Sequence, residues 1–577
     1  MRSMTASSTA TAFALFPGLS LVLLTTLILL PLLPTGCSRE PEPERPTTLA
    51  GRSAVHAPHG AVATSQPLAS SAGLAVLQQG GNAVDAAVTA AAVLALVEPH
   101  MTGPGGDVFA ILWSARENRL VGLNASGRAG ALMTREELLA RGRERIRSGP
   151  EAVTVPGAVS GWAALLAEHG TLTLAQALAP AIRLAEEGFP VSPIIARQWA
   201  AQTRKLQRDE GAAATYLIDG ERAPRPGERF RNPDLAASYR LLARRGPQAL
   251  YGGELGQRIV AHLEEVGGFL TLDDLRNHTV EWVEPLAVDY GGATLWELPP
   301  NGQGIAALEM LRILEPFDLQ AMGHNSPDYL HHLIEAKKLA FADLGRWIGD
   351  PDHLELTPAQ ILSEPFITAR RARLDPRRAA ERAEPGEAVT ASETIYLSAA
   401  DAEGNMISFI NSVYDYFGSG VVVPGTGFEL QDRGVGFTMT PDRPNTVAPG
   451  KRPFHTLIPG FATRPGPDGE PEPWLAFGVM GGSMQPQGHV QVLLNILLFD
   501  MDVQAAIDAP RFRHLSGSRI VLEAPIDEEV RRALERLGHI IGNERGTSFG
   551  GGQAVMRGEA GWVAGSDPRK DGMAVGY

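Results

Sequence analysis

The sequence predicts a mixed α/β protein, and three observations point there. Hydrophobic residues make up 44% of the 577 positions, enough for a large core. The 63 glycines and 43 prolines exceed average usage of about 7% and 5%, without a collagen-like period, so the chain is rich in loops. The first half of the folded text is mainly helical in pattern, and the text from residue 394 turns strand-like. The length excludes a single small binding module. A net charge of −14, from 51 basic and 65 acidic residues, argues against a polyanion partner, because nucleic-acid binders carry a basic face. The single cysteine, Cys37, can form neither an internal disulfide nor a CxxC metal site.

Met1–Gly36 reads as a targeting segment and is set aside from the fold. Arg2 supplies the positive start, Ala12–Leu33 is an uncharged apolar run, and Leu32-Leu33-Pro34-Thr35-Gly36-Cys37 closes it. A Pro/Glu-rich stretch follows, giving a signal segment 1–37 and a tether 38–50. Three readings remain open: a lipoprotein signal cut before Cys37, an ordinary secretory signal, and an uncleaved anchor. The segment resembles a bacterial lipoprotein signal, although Pro34 stands where that pattern prefers Leu. All three place the globular part outside the cytoplasm, periplasmic or at the cell surface. An acylated Cys37 would hold it on a membrane without spanning it.

Helix starts are legible in the first half. Asn82-Ala83-Val84-Asp85 offers an N-cap with an acid three residues on, ahead of an Ala-rich run to Leu96. Thr173–Glu187, Pro327–Leu344 and Asp527–Leu537 carry similar patterns. The charged, Pro-containing stretch Asp375–Ala391 predicts an exposed connector. Thr394–Ala400 and Met406–Ser412 read as two strands around the turn Asp401-Ala402-Glu403-Gly404-Asn405. A hairpin centred on Glu403 sets Thr394 opposite Ser412, with Cβ atoms about 5 Å apart. That spacing suits two hydroxyls arranged around one site, and it equally suits an ordinary hairpin with polar edge residues.

Other motifs carry less. Gly546-Thr547-Ser548-Phe549-Gly550 matches a nucleophile elbow, but strand-like text follows it and no His occurs after His539. His331-His332 with Glu335 lies on an amphipathic helix with no second cluster at zincin spacing, so no metal site is expected. Gly103-Pro104-Gly105-Gly106 lacks dinucleotide-site spacing and reads as a tight turn. Gly481-Gly482 before Ser483 suits either an oxyanion hole or a plain turn.

Together these segments resemble the γ-glutamyltransferase family of N-terminal-nucleophile hydrolases, from about His59 to Tyr577. The resemblance rests on Pro67-Leu68-Ala69-Ser70, Gly80-Gly81-Asn82-Ala83-Val84-Asp85, Val155-Pro156-Gly157-Ala158-Val159, Ala340-Phe341-Ala342-Asp343, Pro449-Gly450-Lys451-Arg452-Pro453 and Ala509-Pro510-Arg511-Phe512. The GGT-like acylase branch is matched through Phe417-Gly418-Ser419-Gly420, Leu430-Gln431-Asp432-Arg433-Gly434 and Gln485-Pro486-Gln487-Gly488-His489.

The family implies a four-layer αββα sandwich and a precursor that cuts itself between Glu393 and Thr394. A large subunit 51–393 and a small subunit 394–577 would then form the fold jointly. The resemblance implies Thr394 as nucleophile, Ser412 as its supporting hydroxyl, and Gly481 and Gly482 as oxyanion-holding residues. No cofactor is implied. The substrates implied are γ-glutamyl or glutaryl-type acyl amides, hydrolysed or transferred; a catalytically inactive, ligand-binding lipoprotein is the alternative.

The substrate end departs from the family pattern. The arginine that grips the α-carboxylate falls on Ser126, with Arg128 two residues later. The aspartate for the α-ammonium falls on Gly436, its neighbour on Arg433, an asparagine on Tyr414, and paired serines on His455 and Thr456. Losing an Asp and gaining an Arg predicts a reversed local charge, and so a site that rejects an α-ammonium and prefers a carboxylate or neutral tail.

Overall fold

A computed structural model describes residues 51–381, 394–543 and 549–577. Every element below belongs to the unit Arg52–Tyr577. The signal and tether with Cys37, the residue Glu393, most of the Asp375–Ala391 connector, and Gly546–Ser548 lie outside the described residues. No helix among the described residues is long and apolar enough to cross a membrane.

Among the described residues, two antiparallel seven-stranded sheets form the centre. One runs, edge to edge, Val55–Ala57, Gly561–Ser566, Gly551–Gly558, Pro471–Met480, Gly460–Pro465, Ala293–Glu297 and Leu286–Tyr290. The other runs Met573–Gly576, Ala61–Thr64, Ile395–Ala400, Met406–Ser412, Asp107–Ser114, Arg119–Ala125 and Glu281–Val283. Phe109, Ile111, Tyr396, Ile410, Phe461, Ala476 and Val555 come from both sheets and share one buried cluster, so the sheets pack face to face. The outer face of the second sheet packs on the helices Pro67–Gln78, Ala83–Val97 and Ala158–His169. The outer face of the first packs on Gly304–Leu314 and Met484–Phe499, with Pro327–Trp347 packed behind Gly304–Leu314. The protein is therefore an αββα sandwich, as the family resemblance implied.

Strand periodicity explains the layering. Successive side chains alternate between faces, so Ile395, Leu397 and Ala399 enter the helix-side core while Tyr396 and Ala400 enter the core between the sheets. Both faces are buried, which is why this text reads as almost continuously apolar. The inter-sheet gap is narrow at Gly478, where a Cβ would stand 2.5 Å from the Tyr396 ring.

The helices begin where their caps lie. Asn82 accepts from the N–H groups of Val84 and Asp85, Asp85 closes the capping box, and the helix runs Ala83–Val97. Thr173 caps Leu174–Glu187 in the same way. The two later helices occupy Pro327–Trp347 and Glu528–Arg536. Gly103-Pro104-Gly105-Gly106 is a turn closed by Gly106 N–H to Gly103 C=O at 3.0 Å.

Candidate active site

The hairpin fixes the centre of the site. Ile395 pairs with Asn411 and Ala400 with Met406, so Thr394, one residue before the strand, lies across from Ser412. The turn is held by Asp401, whose carboxylate accepts from Glu403 N–H, Asn405 N–H and the Asn405 amide. It also accepts from Ala83 N–H, which caps the Ala83–Val97 helix and ties the hairpin to that layer. Thr394 and Ser412 are both fully buried. Thr394 Oγ1 donates to Ser412 Oγ at 3.1 Å, and Tyr414 N–H donates to the same oxygen at 2.8 Å.

That second bond requires a sharp bend. Tyr414 takes φ +80 and Phe417 φ +58, a region costly for bulky side chains. The bend is over-determined by its neighbours. Phe417 N–H bonds His100 C=O at 2.9 Å, and Lys205 Nζ donates to the carbonyls of Tyr416 and Gly418 at 2.7 and 2.5 Å.

Gly481 and Gly482 join the strand Pro471–Met480 to the helix Met484–Phe499. Their φ values of +121 and +58 favour glycine. The Gly481 carbonyl accepts from Met484 N–H at 3.0 Å and the Gly482 carbonyl from Gln485 N–H at 3.1 Å. A trans peptide sets C=O and N–H in opposite directions, so the Gly482 N–H is turned away from the helix. Gln303 fixes this loop, donating to Gly482 C=O at 2.8 Å and Thr456 C=O at 2.7 Å. Tyr396 lies on Gly478, which puts the start of the Thr394 strand over the strand leading to Gly481.

The substrate-end residues form a second group. Arg433, fully buried, lies over the Tyr414 ring with 4.7 Å from Cζ to centroid. Its Nη1 donates to Thr456 Oγ1 at 2.8 Å, while Nε and Nη2 have no hydrogen-bond partner among the described residues. Burial pushes the guanidinium down to about 10. The segment adds two more carboxylates: Asp432 Oδ1 accepts from Asp415 N–H at 3.2 Å. Burial, then the Asp432 charge, push Asp415 up to about 7.

Asp107 links this group to the hairpin. It pairs in register with Ser412, and its backbone carbonyl accepts from the Asn411 amide at 2.9 Å. Its Oδ1 accepts from Gly127 and Gly157 N–H, each at 3.1 Å. Its Oδ2 faces His455 Nε2 at 3.1 Å and Arg433 Nε at 4.0 Å. His455 Nδ1 accepts from Leu457 N–H, so Nε2 carries the proton and donates to Asp107. Burial, with Arg433 and Arg452 close by, holds His455 well below its ordinary value and therefore neutral. Burial pushes Asp107 up to about 6, against the pull of Arg433 and the two glycine N–H groups.

No local sequence signal marks Asp107, although it directly follows the Gly103–Gly106 turn. Gln303 and Lys205 carried no sequence signal. The structure thus brings Thr394, Ser412, Tyr414, Arg433, His455 and Thr456 into one connected set. Arg128 is engaged elsewhere, bonded to Asp350, Glu281 and the Gly450 carbonyl at 3.1 Å each. Ser126 Oγ is turned to Asn124. The simple charge reversal expected from Arg433 is also modified, because Asp107, Asp432 and Asp415 all surround that guanidinium.

His331, Glu335 and His539 do approach one another, with possible ligand atoms within 4.8 Å. They form a hydrogen-bonded clamp. His331 bonds His539 and the Asp375 carbonyl. Glu335 accepts from Lys338 Nζ at 2.7 Å and Ala380 N–H at 3.1 Å, and Lys338 donates to Ala380 C=O at 2.9 Å. The ammonium already supplies the cation that Glu335 needs.

Two face-packed sheets flanked by helices form the layered architecture of the N-terminal-nucleophile hydrolases, and a buried hydroxyl pair stands at the start of one central strand. The chain belongs to the gamma-glutamyltranspeptidase family, whose model matches residues 69–577. It is 37% identical over 520 residues to the glutathione hydrolase-like YwrD proenzyme of Bacillus subtilis, covering 88% of this chain and 97% of that one. It is 35% identical over 532 residues to the oxamate amidohydrolase proenzyme of Klebsiella pneumoniae, covering 90% and 98%. Among solved structures it matches cephalosporin acylase from Bacillus halodurans with a TM-score of 0.86 and 42% identity, over 93% of this chain and 99% of that one. The protein is an enzyme of the family's hydrolase and acyltransferase type.

Proposed function

We propose that the chain is a self-processing amide hydrolase with Thr394 as nucleophile, acting on acyl amides whose acyl chain ends in a carboxylate. The observation that carries this reading is the buried Thr394–Ser412 hydroxyl pair at 3.1 Å, at the residue where the family resemblance puts the cut. In the precursor, Thr394 Oγ attacks the Glu393 carbonyl, the C–N bond breaks to leave an ester, and water releases Glu393 as a carboxylate. The freed α-amine, with a pKa of about 7.7–8.0, then accepts the Thr394 hydroxyl proton directly or through water. Attack on the substrate carbonyl gives an acyl-threonine ester, the proton passes to the leaving amine, and water hydrolyses the ester. Gly481 and Gly482 would hold the oxyanion; losing one such donor typically costs about 2.7–4 kcal/mol.

Substrate choice follows from Arg433. Nε and Nη2 lie on one edge of the guanidinium, the edge that takes a carboxylate side-on, and both lack a partner among the described residues. A glutaryl chain supplies that carboxylate without the α-ammonium of a γ-glutamyl group. Relatives named as acylase proenzymes from Pseudomonas support an acyl-amide reading. The Met1–Gly36 segment and Cys37 support export with a lipid anchor.

The test joins a denaturing gel with two anilides. The natural protein resolves into two bands, with Thr394 at the start of the smaller, and Thr394→Ala remains one band. Glutaryl anilide is hydrolysed faster than γ-glutamyl anilide; the reverse order removes the substrate part of the reading, and an uncut natural chain removes the mechanism.

A further inference from the structure

Arg433 reaches its site already accompanied by an acid. Asp107 Oδ2 stands 4.0 Å from Arg433 Nε, close enough to neutralise the guanidinium and too far to hydrogen-bond along its open edge. Asp107 cannot swing away. Both glycine N–H groups hold Oδ1, and a Cβ at Gly127 or Gly157 would fall 1.5 or 1.6 Å from a backbone carbonyl oxygen, so neither backbone can be replaced by a bulkier one. A carboxylate docked on Nε and Nη2 therefore meets a second carboxylate fixed beside the same cation.

We propose that Asp107 competes with the acyl carboxylate of the substrate for Arg433, and thereby sets whether the enzyme prefers anionic or neutral acyl chains. This rests on the reading of Arg433 given above. With Asp107 ionised, the pair is neutral and an anionic chain gains little over a neutral one. With Asp107 protonated, the carboxylate beside the open edge of Arg433 is neutral, and a dicarboxylic half-amide takes its place there while an alkanoyl amide does not. Around Asp107 stand Arg433, Arg452, Tyr251 and the neutral His455; Asp432, Asp415 and Tyr414 face Arg433. Burial holds Asp107 up at about 6, so the exchange falls within an accessible pH range.

Glutaryl-p-nitroanilide and pentanoyl-p-nitroanilide differ only in the terminal carboxylate, so the ratio of their kcat/KM values cancels titration of the Thr394 amine. In the processed natural enzyme this ratio rises about tenfold from pH 8 to pH 5, mainly through KM, as a close like charge is removed. In Asp107→Asn the ratio at pH 8 already equals the natural acid value and stays flat. In Arg433→Met the ratio is low and flat. A slope that survives Asp107→Asn assigns the effect to another group, such as Asp415, and overturns the proposal. A flat natural ratio does the same even if Asp107→Asn fails to fold. An unchanged ratio in Arg433→Met instead refutes the underlying reading of Arg433.

Discussion

The hydroxyl of Thr394 donates to the hydroxyl oxygen of Ser412 across 3.1 Å, and that oxygen also accepts the Tyr414 N–H at 2.8 Å. Two donors on one oxygen fix the direction of the Ser412 lone pairs and polarise the Thr394 O–H. Ser412→Ala removes this acceptor and leaves the Tyr414 N–H turned toward an apolar methyl. Conversion of precursor to two bands then slows, and kcat of processed enzyme falls by about ten- to hundredfold with KM little changed. Time courses on denaturing gels and steady-state kinetics check both, and Ser412→Thr restores part of the loss.

Gly157 and Gly127 hold Asp107, and neither has room for a methyl group. Gly157→Ala forces a Cβ onto the Ala125 carbonyl oxygen. The expected cost is about 4 kcal/mol or more, seen as a fall in soluble yield and thermal midpoint. A variant with natural stability would show that this backbone is looser than its contacts indicate.

Glu309 is buried in the helix Gly304–Leu314, and burial pushes its carboxyl up to about 8. Its Oε1 lacks a partner among the described residues. Protonated when folded and ionised when unfolded, it contributes stability that is full below about pH 4.5 and is lost as pH rises toward 8. Glu309→Gln therefore raises the thermal midpoint at pH 8 relative to the natural protein and leaves it nearly unchanged at pH 4.5. Thermal scans at the two pH values read the difference directly.

The Glu335–Lys338 pair grips both backbone polar groups of residue Ala380, with side chains only 3% and 2% exposed. Breaking one member of a buried pair costs about 3–5 kcal/mol, here localised on the segment just before residue 382. Lys338→Met should make that segment open more often. Limited trypsin digestion then cuts after Arg377 and Arg378 sooner than in the natural protein, with kcat on pentanoyl anilide unchanged; mass spectrometry of early fragments decides it.

Much of this was legible in the sequence because it depends on local rules. The Asn82 and Thr173 caps mark their helices to within one residue, and the Asp401–Asn405 turn sets the strand register that brings Thr394 to Ser412. The grouping of Tyr414, Arg433, His455 and Thr456 was legible only as positions in a family pattern. What escaped was long-range: Asp107 becomes important through Gly127, Gly157, His455 and Arg433, none of them near it in the chain. Arg128 shows the converse. Its place in the sequence suggested a ligand for carboxylate, but Asp350 and Glu281 reach it first.

The last residue, Tyr577, exchanges backbone hydrogen bonds with Gly60 and receives one from His59, so the end of the chain closes onto the start of the folded unit. Joining those ends with a short linker and opening the chain before Thr394 would give a circular permutant. After loss of its initiator methionine, such a protein would be synthesised with the threonine amine already exposed, and would separate the chemistry of turnover from the chemistry of birth.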